Sequence, residues 1–328
     1  MSMPGADGNV YVVCEGSFMN GNATLFDYQP ATDSVFGDLY SSANSQALGD
    51  VFQSMTKIGT QFFLCINNSD KVVIVNADNR VLSGIINIPK PRYVLPINTT
   101  KAYVSSEYSK NVYIINTQTL AVTDTIKFPF QNTEGMCLYG NYAFVCTWDT
   151  ACNVIYKVDV TTDRIVQTIK ISGYAPQEAV LDKEGMLWVL SGQQPKGWTA
   201  ALTRIDPSSG DVLVAYPFNA DADAIKPVFN NTKDTLYFIE ADYNGGTVNN
   251  GIYRMGIHDA TLPTTAFVAA KQLQYFYALG IDPLTGYIYV GDPKGFVQKG
   301  SVYIYGQDGL QLKGFNVGIG PGHFYFDE

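Results

Sequence analysis

Short runs of alternating apolar and polar residues, separated by polar turn formers, fill this chain from end to end. Period-two runs rich in β-branched and aromatic residues predict β-strands. One run recurs seven times, with an aromatic residue set among aliphatic neighbours: Tyr11 in NVYVV, Phe63 in QFFLC, Tyr103 in KAYVS, Phe144 in YAFVC, Trp188 in MLWVL, Tyr237 in TLYFI and Tyr289 in YIYVG. Successive anchors lie about 40 to 52 residues apart, the period of a four-stranded propeller blade.

The third repeat shows the unit most plainly. An inner strand RYVLPIN (92–98) leads through Thr99 and Thr100 to KAYVSSE (101–107), then VYIIN (112–116) and AVTDTIKF (121–128). Third strands recur at 23–28, 72–76, 155–159, 202–206, 252–255 and 302–305, and long helical patterns are absent between them. Several of these strands run into Asp or Asn before a turn, as at Asp159 and Asp206. A carboxylate there bonds its own turn backbone, so these acids read as structural.

The first repeat begins at its second strand, and HFYFDE (323–328) at the other end supplies the missing inner one. The prediction is an all-β, seven-bladed β-propeller with four-stranded blades. The C-terminal strand closes the ring on the N-terminal blade and protects the edges an open array would expose. Residues 9–328 form a single domain after a flexible lead over 1–8.

Composition narrows the function. The 328 residues include 22 Tyr and 18 Phe, and the net charge of −9 comes with scattered Lys and Arg. A nucleic-acid binder needs a basic stripe, so that class is excluded. No run approaches the roughly 18 apolar residues of a membrane helix. MSMPGADG has neither the charged nor the apolar region of a signal peptide, which leaves a natural or a trimmed start equally open. Five cysteines occur without a CxxC pair. Cys14, Cys65 and Cys146 fall on equivalent second strands and are expected to be buried thiols, with no disulfide and no metal.

A propeller face carries function where its loops are long. The connections from second to third strands are long and unequal: 14–22, 67–71, 106–111, 147–153, 191–200, 240–250 and 291–300. They share a face with the crossovers between blades, and the turns opposite are short. This face carries Phe18, Tyr108, Trp148, Trp198, Tyr243 and Phe296, residue types that anchor partners. A polar ring is expected at the mouths of the inner strands: Gln53, Arg92, Glu134, Gln177, Tyr277 and His323. Such groups either line a pocket or bond one another.

Catalysis is weakly signalled. Only two histidines occur, His258 and His323, and no GxSxG, HExxH or GxxxxGKS motif is present. A lactonase-type metal site would need Glu15, Asn153, Asp223 and Asp292 to converge, and their spacing does not require it. Asp221 and Asp223 read as a solvated loop pair.

The stretches CEGSFMNGNATLFDYQP (14–30), LGDVFQSM (48–55), PRYVLPINTTKAYVS (91–105), GIDPLTGYIYVGDP (280–293) and VGIGPGHFYF (317–326) resemble the YncE-like propellers of Bacteroides-type bacteria. Within that group the chain is similar to the surface cobalamin-binding lipoproteins that sit on an outer-membrane cobalamin transporter. The resemblance implies an exported protein at the cell surface or in the periplasm. It implies cobalamin or a related corrinoid as ligand, the transporter as partner, and no required cofactor. These signatures mark blades, so no contact residues carry over. Such lipoproteins begin at a lipidated cysteine, whereas no cysteine precedes Cys14 here. A broad, amide-fringed ligand would need donors such as Asn20, Asn22, Gln177, Gln193 and Gln194. His323 would either approach cobalt or sit hydrogen-bonded in the channel. The leading expectation is a non-catalytic binding protein. A docking scaffold and a metal-dependent lactonase or lyase are the alternatives.

Overall fold

The computed structural model describes residues 8–193, 198–219, 222–241 and 250–327. Seven antiparallel sheets of four strands each form a ring. The third blade, Pro91–Pro96, Lys101–Ser106, Asn111–Asn116 and Ala121–Lys127, follows the predicted strands to within two residues. The other inner strands are Phe52–Ile58, Thr133–Tyr139, Pro176–Leu181, Asp223–Phe229, Ala278–Ile281 and Pro321–Asp327.

The last of these closes the ring. Pro321–Asp327 pairs antiparallel with Asn9–Cys14, from Asn9 opposite Asp327 to Cys14 opposite Pro321. The first blade is therefore built from both ends of the chain, as the split repeat predicted. Its inner strand also grips both neighbours. Phe324 and Phe326 pack on Tyr289 of the seventh blade, with ring centroids 6.0 and 5.3 Å away. Tyr325 meets Phe62 of the second blade at 5.5 Å.

The seven anchor aromatics are all buried. They explain the ring's cohesion, because a twisted four-stranded sheet has two apolar faces and must cover both. Seven apolar clusters result, one at each blade-to-blade interface. The turn acids behave as expected: Asp159 Oδ1 accepts the Thr161 amide at 2.7 Å, and Asp206 Oδ1 accepts the Ser208 amide at 2.8 Å. Cys14, Cys65 and Cys146 are fully buried free thiols.

Three departures from the sequence reading appear. A six-residue helix, Leu39–Asn44, occupies the first crossover, anchored by buried Tyr40 and lacking any apolar periodicity to announce it. Trp198 opens the strand Trp198–Ile205 instead of lying in a loop, because its backbone pairs with Gln193. Asp223 likewise begins an inner strand rather than standing solvated, and it is 6 % exposed. Tyr243, Gln194, Asp221 and the lead over 1–7 lie outside the described residues. Among the described residues no helix is long and apolar enough to cross a membrane.

Candidate functional site

Hydrogen bonds tie the long connections to the crossovers, which puts both loop sets on one face. The Tyr108 amide donates to Asn132 Oδ1 at 2.7 Å and the Trp148 amide to the Asn132 carbonyl at 2.7 Å. The Glu107 amide donates to the Lys90 carbonyl at 2.9 Å, and the Met19 amide to Asp50 Oδ2 at 2.8 Å.

One local device recurs where the chain dives from this face into the channel. Val51, Lys90, Asn132, Ala175 and Gly320, each just ahead of an inner strand, hold positive φ between 43° and 65°. Directly after each of these five turns the ladder skips, and a sixth skip lies within Asp223–Phe229. Six of the seven inner strands carry a register shift, at Phe52/Ser54, Pro91/Val94, Thr133/Met136, Pro176/Glu178, Ile225/Val228 and Pro321/His323. The skipped residues are Gln53, Arg92 with Tyr93, Glu134 with Gly135, Gln177, Lys226 with Pro227, and Gly322. A bulge leaves its extra residue unpaired and re-aims its side chain. Repetition around the ring turns that local irregularity into a polar collar.

Gln53, Arg92, Tyr93, Glu134, Trp148, Gln177, Glu178, Asp223, Ile225, Lys226 and Tyr277 enclose a hollow of about 150 Å³ at the channel mouth. Arg92 organises one side. Its Nε donates to both Glu134 oxygens at 3.0 and 2.8 Å, its Nη2 to Glu134 Oε1 at 2.5 Å, and its Nη1 to Gln53 Oε1 at 2.5 Å. A forked guanidinium–carboxylate pair is the strong kind of buried ion pair. Burial pushes the Glu134 carboxyl up and Arg92 pulls it back. Burial wins at Glu134, whose carboxyl stays above its ordinary range, and Glu134 in turn helps hold the Arg92 guanidinium well above its own.

The other side is looser. Glu15 enters from the first long connection and accepts the Tyr277 hydroxyl at 3.0 Å. It can do so because position 322 is glycine, where a Cβ would collide with the Glu15 carboxylate. Burial raises Glu15, against the pull of Lys226 and the Tyr277 hydroxyl. Lys226, in a left-handed conformation at φ 58°, has Glu178 Oε1 at 3.9 Å, and its ammonium makes no hydrogen bond to a described residue. Burial works to lower Lys226, yet Glu178, Tyr277 and Glu15 outweigh it and hold the ammonium above its ordinary value.

Below the mouth the channel widens into a second hollow of about 370 Å³. Tyr93, Glu178 and Lys226 line both hollows and form the partition between them. The lower wall is mainly apolar, with Val94, Val180, Val228, Leu279, Ile281 and Phe324 among its residues. His323 faces this chamber. Burial, with Lys226 nearby, pushes its imidazole down to about 3, so it is neutral at physiological pH.

The structure therefore gathers Gln53, Arg92, Glu134, Gln177, Tyr277 and Trp148 around one hollow. His323 is displaced from that ring to the lower chamber, because the skipped residue in its strand is Gly322. Phe18 and Tyr108 stand on the rim, 63 % and 70 % exposed, and Asn20 is also exposed and bonds the Phe18 carbonyl. None of these three lines a hollow. Phe296 folds inward on Tyr277, 5.1 Å between centroids. The side chain of Trp198 lies outside the described residues. Tyr93 and Glu178 were missed because strand alternation sends neighbours to opposite faces, and Lys226 because its inner strand carried no expected mouth residue. The bulges cancel that rule and bring Arg92 with Tyr93, and Gln177 with Glu178, to the same hollow. Glu15 was weighed only as a metal ligand. Among the described residues no group of three or more His, Cys, Asp or Glu side chains is placed to hold a metal ion.

Comparison with solved structures places the fold among known propellers. A quinoprotein alcohol dehydrogenase-like protein from Bacteroides thetaiotaomicron is 17 % identical with a TM-score of 0.72, over 98 % of this chain and 79 % of that one. A Bacteroides fragilis protein provisionally named a 6-phosphogluconolactonase is 12 % identical with a TM-score of 0.68, over 98 % of both chains. Hydrazine synthase of Kuenenia stuttgartiensis is 16 % identical with a TM-score of 0.67, over 82 % of this chain and 87 % of that one. At these identities the likeness is one of fold alone. No curated protein matches the sequence. The blade pattern does match a described family over residues 7–327, and the chain belongs to that family, the domain of unknown function DUF5074.

Proposed function

We propose that this propeller is a non-catalytic binding protein that holds a small molecule in its channel, entered from the long-loop face. The observation that carries this reading is the repeated bulge, which sends polar side chains from five inner strands into one channel mouth. A channel serving only to close a ring needs no charged collar. Burying those charges costs free energy unless they are paired or used.

Size limits the ligand. The mouth hollow of about 150 Å³ has the liquid volume of about five waters. The lower chamber of about 370 Å³ falls within the usual range of small-molecule sites, roughly 300–1,000 Å³. A corrinoid is too broad to enter either and would rest across the rim, where Phe18 and Tyr108 stand exposed. Titration of the protein with cobalamin, followed by visible absorbance and calorimetry, tests that variant. No spectral change and no heat at micromolar ligand removes it.

The channel reading is tested by mixing the protein with a small-molecule extract of bacterial culture, removing unbound material and identifying what is retained. Gln177→Trp, which fills the mouth, is the control. A molecule retained by the natural chain and lost in the variant supports the reading, and equal retention refutes it.

A docking surface is the second reading. Phe18, Met19, Tyr108 and Val297 on the loop rim are 63 %, 78 %, 70 % and 81 % exposed, the kind of side chains that anchor partners. Pull-down from an outer-membrane extract, with Phe18→Ser and Tyr108→Ser as controls, tests the transporter partner and the exported location together.

A further inference from the structure

Three polar side chains that line the lower chamber, Lys226, Glu178 and His323, have no hydrogen-bond partner among the described residues. The Lys226 ammonium has a carboxylate oxygen at 3.9 Å, beyond hydrogen-bond reach, and the Tyr277 ring centroid at 6.0 Å. The Glu178 carboxylate and the His323 ring accept and donate no hydrogen bond to any described residue. Their residual exposure is toward the hollows they line: the side chains of Lys226 and Glu178 are 16 % and 25 % exposed. Buried polar groups are almost always satisfied. Here the protein leaves an ammonium and a carboxylate side by side at the lower chamber, whose remaining wall is mainly apolar, with Val94, Val180, Val228, Leu279, Ile281 and Phe324 among its residues.

We propose that the lower chamber binds the zwitterion of an α-amino acid with an apolar side chain, its carboxylate on Lys226 and its ammonium on Glu178. The two charged groups of an α-amino acid sit on one carbon, a spacing close to the gap between Lys226 and Glu178. Each ligand charge then faces its complement, and the buried pair gains the hydrogen bonds it lacks. The apolar side chain lies along the aliphatic and aromatic wall, where burial stabilises it by about 25 cal/mol per Å². A simple carboxylate would satisfy Lys226 but stand against Glu178, with Glu15 also near Lys226. A simple amine would satisfy Glu178 but stand against Lys226. Discrimination thus comes from the charge each competitor meets unpaired. Neutral His323 adds one donor and one acceptor without a competing positive charge.

This inference rests on the channel being a ligand site. Its test is calorimetric titration of the full chain with four probes that share one ring: phenylalanine, 3-phenylpropionate, phenethylamine and 3-phenylpropanamide. Phenylalanine is expected to bind at least tenfold tighter than the anion or the cation. Lys226→Met should weaken it at least tenfold and turn preference toward phenethylamine. Glu178→Gln should turn preference toward 3-phenylpropionate. Unchanged circular dichroism melts separate these shifts from misfolding. The head-group assignment is overturned if the anion or amide binds as tightly as phenylalanine, if neither variant changes the preference, or if no probe binds. Retention of some other molecule in the mouth-dependent extract experiment would then leave the channel reading standing, and its failure there too would remove both.

Discussion

Removal of Phe324 tests the closure of the ring. Phe324 is 6 % exposed and packs in the cluster between the first and seventh blades with Val10, Val12 and Tyr289. Truncating a buried Phe to Ala costs about 3–5 kcal/mol through lost transfer free energy and the cavity left behind. Tyr289 keeps Phe326 as a partner, so the lower end, about 3 kcal/mol, applies to Phe324→Ala. In a chain of this size each kcal/mol moves the melting temperature by about 2 °C, which gives a fall of roughly 6 °C. Deleting 321–328 removes Tyr325 and Phe326 as well, together with the pairing to Asn9–Cys14. That loss is comparable to the whole stability of a typical domain, roughly 5–15 kcal/mol, so no cooperative melt is expected. Because Asp327 sits opposite Asn9, splicing 321–327 ahead of residue 9 through a short turn should restore the melt. Calorimetry or far-ultraviolet circular dichroism reads all three. A deletion that melts like the natural chain, or a permutant that fails while Phe324→Ala barely shifts, would refute the account of closure.

Other outcomes follow from the channel and the core. Glu134→Gln leaves the Arg92 guanidinium buried without its charge partner and should cost about 3 kcal/mol; Arg92→Met with Glu134→Leu should cost less, measured by urea unfolding. His323 holds its proton with a pKa of about 3 in the fold against an ordinary 6.5, so between those values the unfolded chain carries the extra proton and stability rises with pH. That contribution reaches at most about 1.4 kcal/mol per pH unit and is fully present above pH 6.5. The raised carboxyls Glu15 and Glu178 act in the opposite sense. The readout is therefore the difference between the natural chain and His323→Gln, whose slope from pH 6.5 down should be shallower, and parallel curves would contradict it. Burial pushes the Cys14 and Cys65 thiols up to about 12, so thiol reagents at pH 8 should label neither until the protein is unfolded.

The blades and the two-ended closure were legible because they depend on local rules. Alternation marks each strand, Asp or Asn marks each turn, and a repeat of seven with one strand missing at one end and spare at the other has a single economical solution. The site was half legible. Gln53, Arg92, Glu134 and Gln177, expected at the strand mouths, do line the mouth hollow. Their neighbours Tyr93 and Glu178 were not expected there, because alternation places adjacent residues on opposite faces and a bulge does not show in a hydrophobic pattern; Lys226 was not, because its strand is the one inner strand with no expected mouth residue.

The order of residues alone determined the number of blades, the strand that joins the ends and the face that carries the long loops. Each of these follows from period, polarity and chain length. Tertiary structure decided which charges meet. Arg92 finds Glu134 from the next blade, and Lys226 stands beside Glu178 from the preceding one, contacts between residues about forty to fifty positions apart. Those pairings depend on how far each bulged strand advances into the channel, a displacement of one residue that no local propensity records.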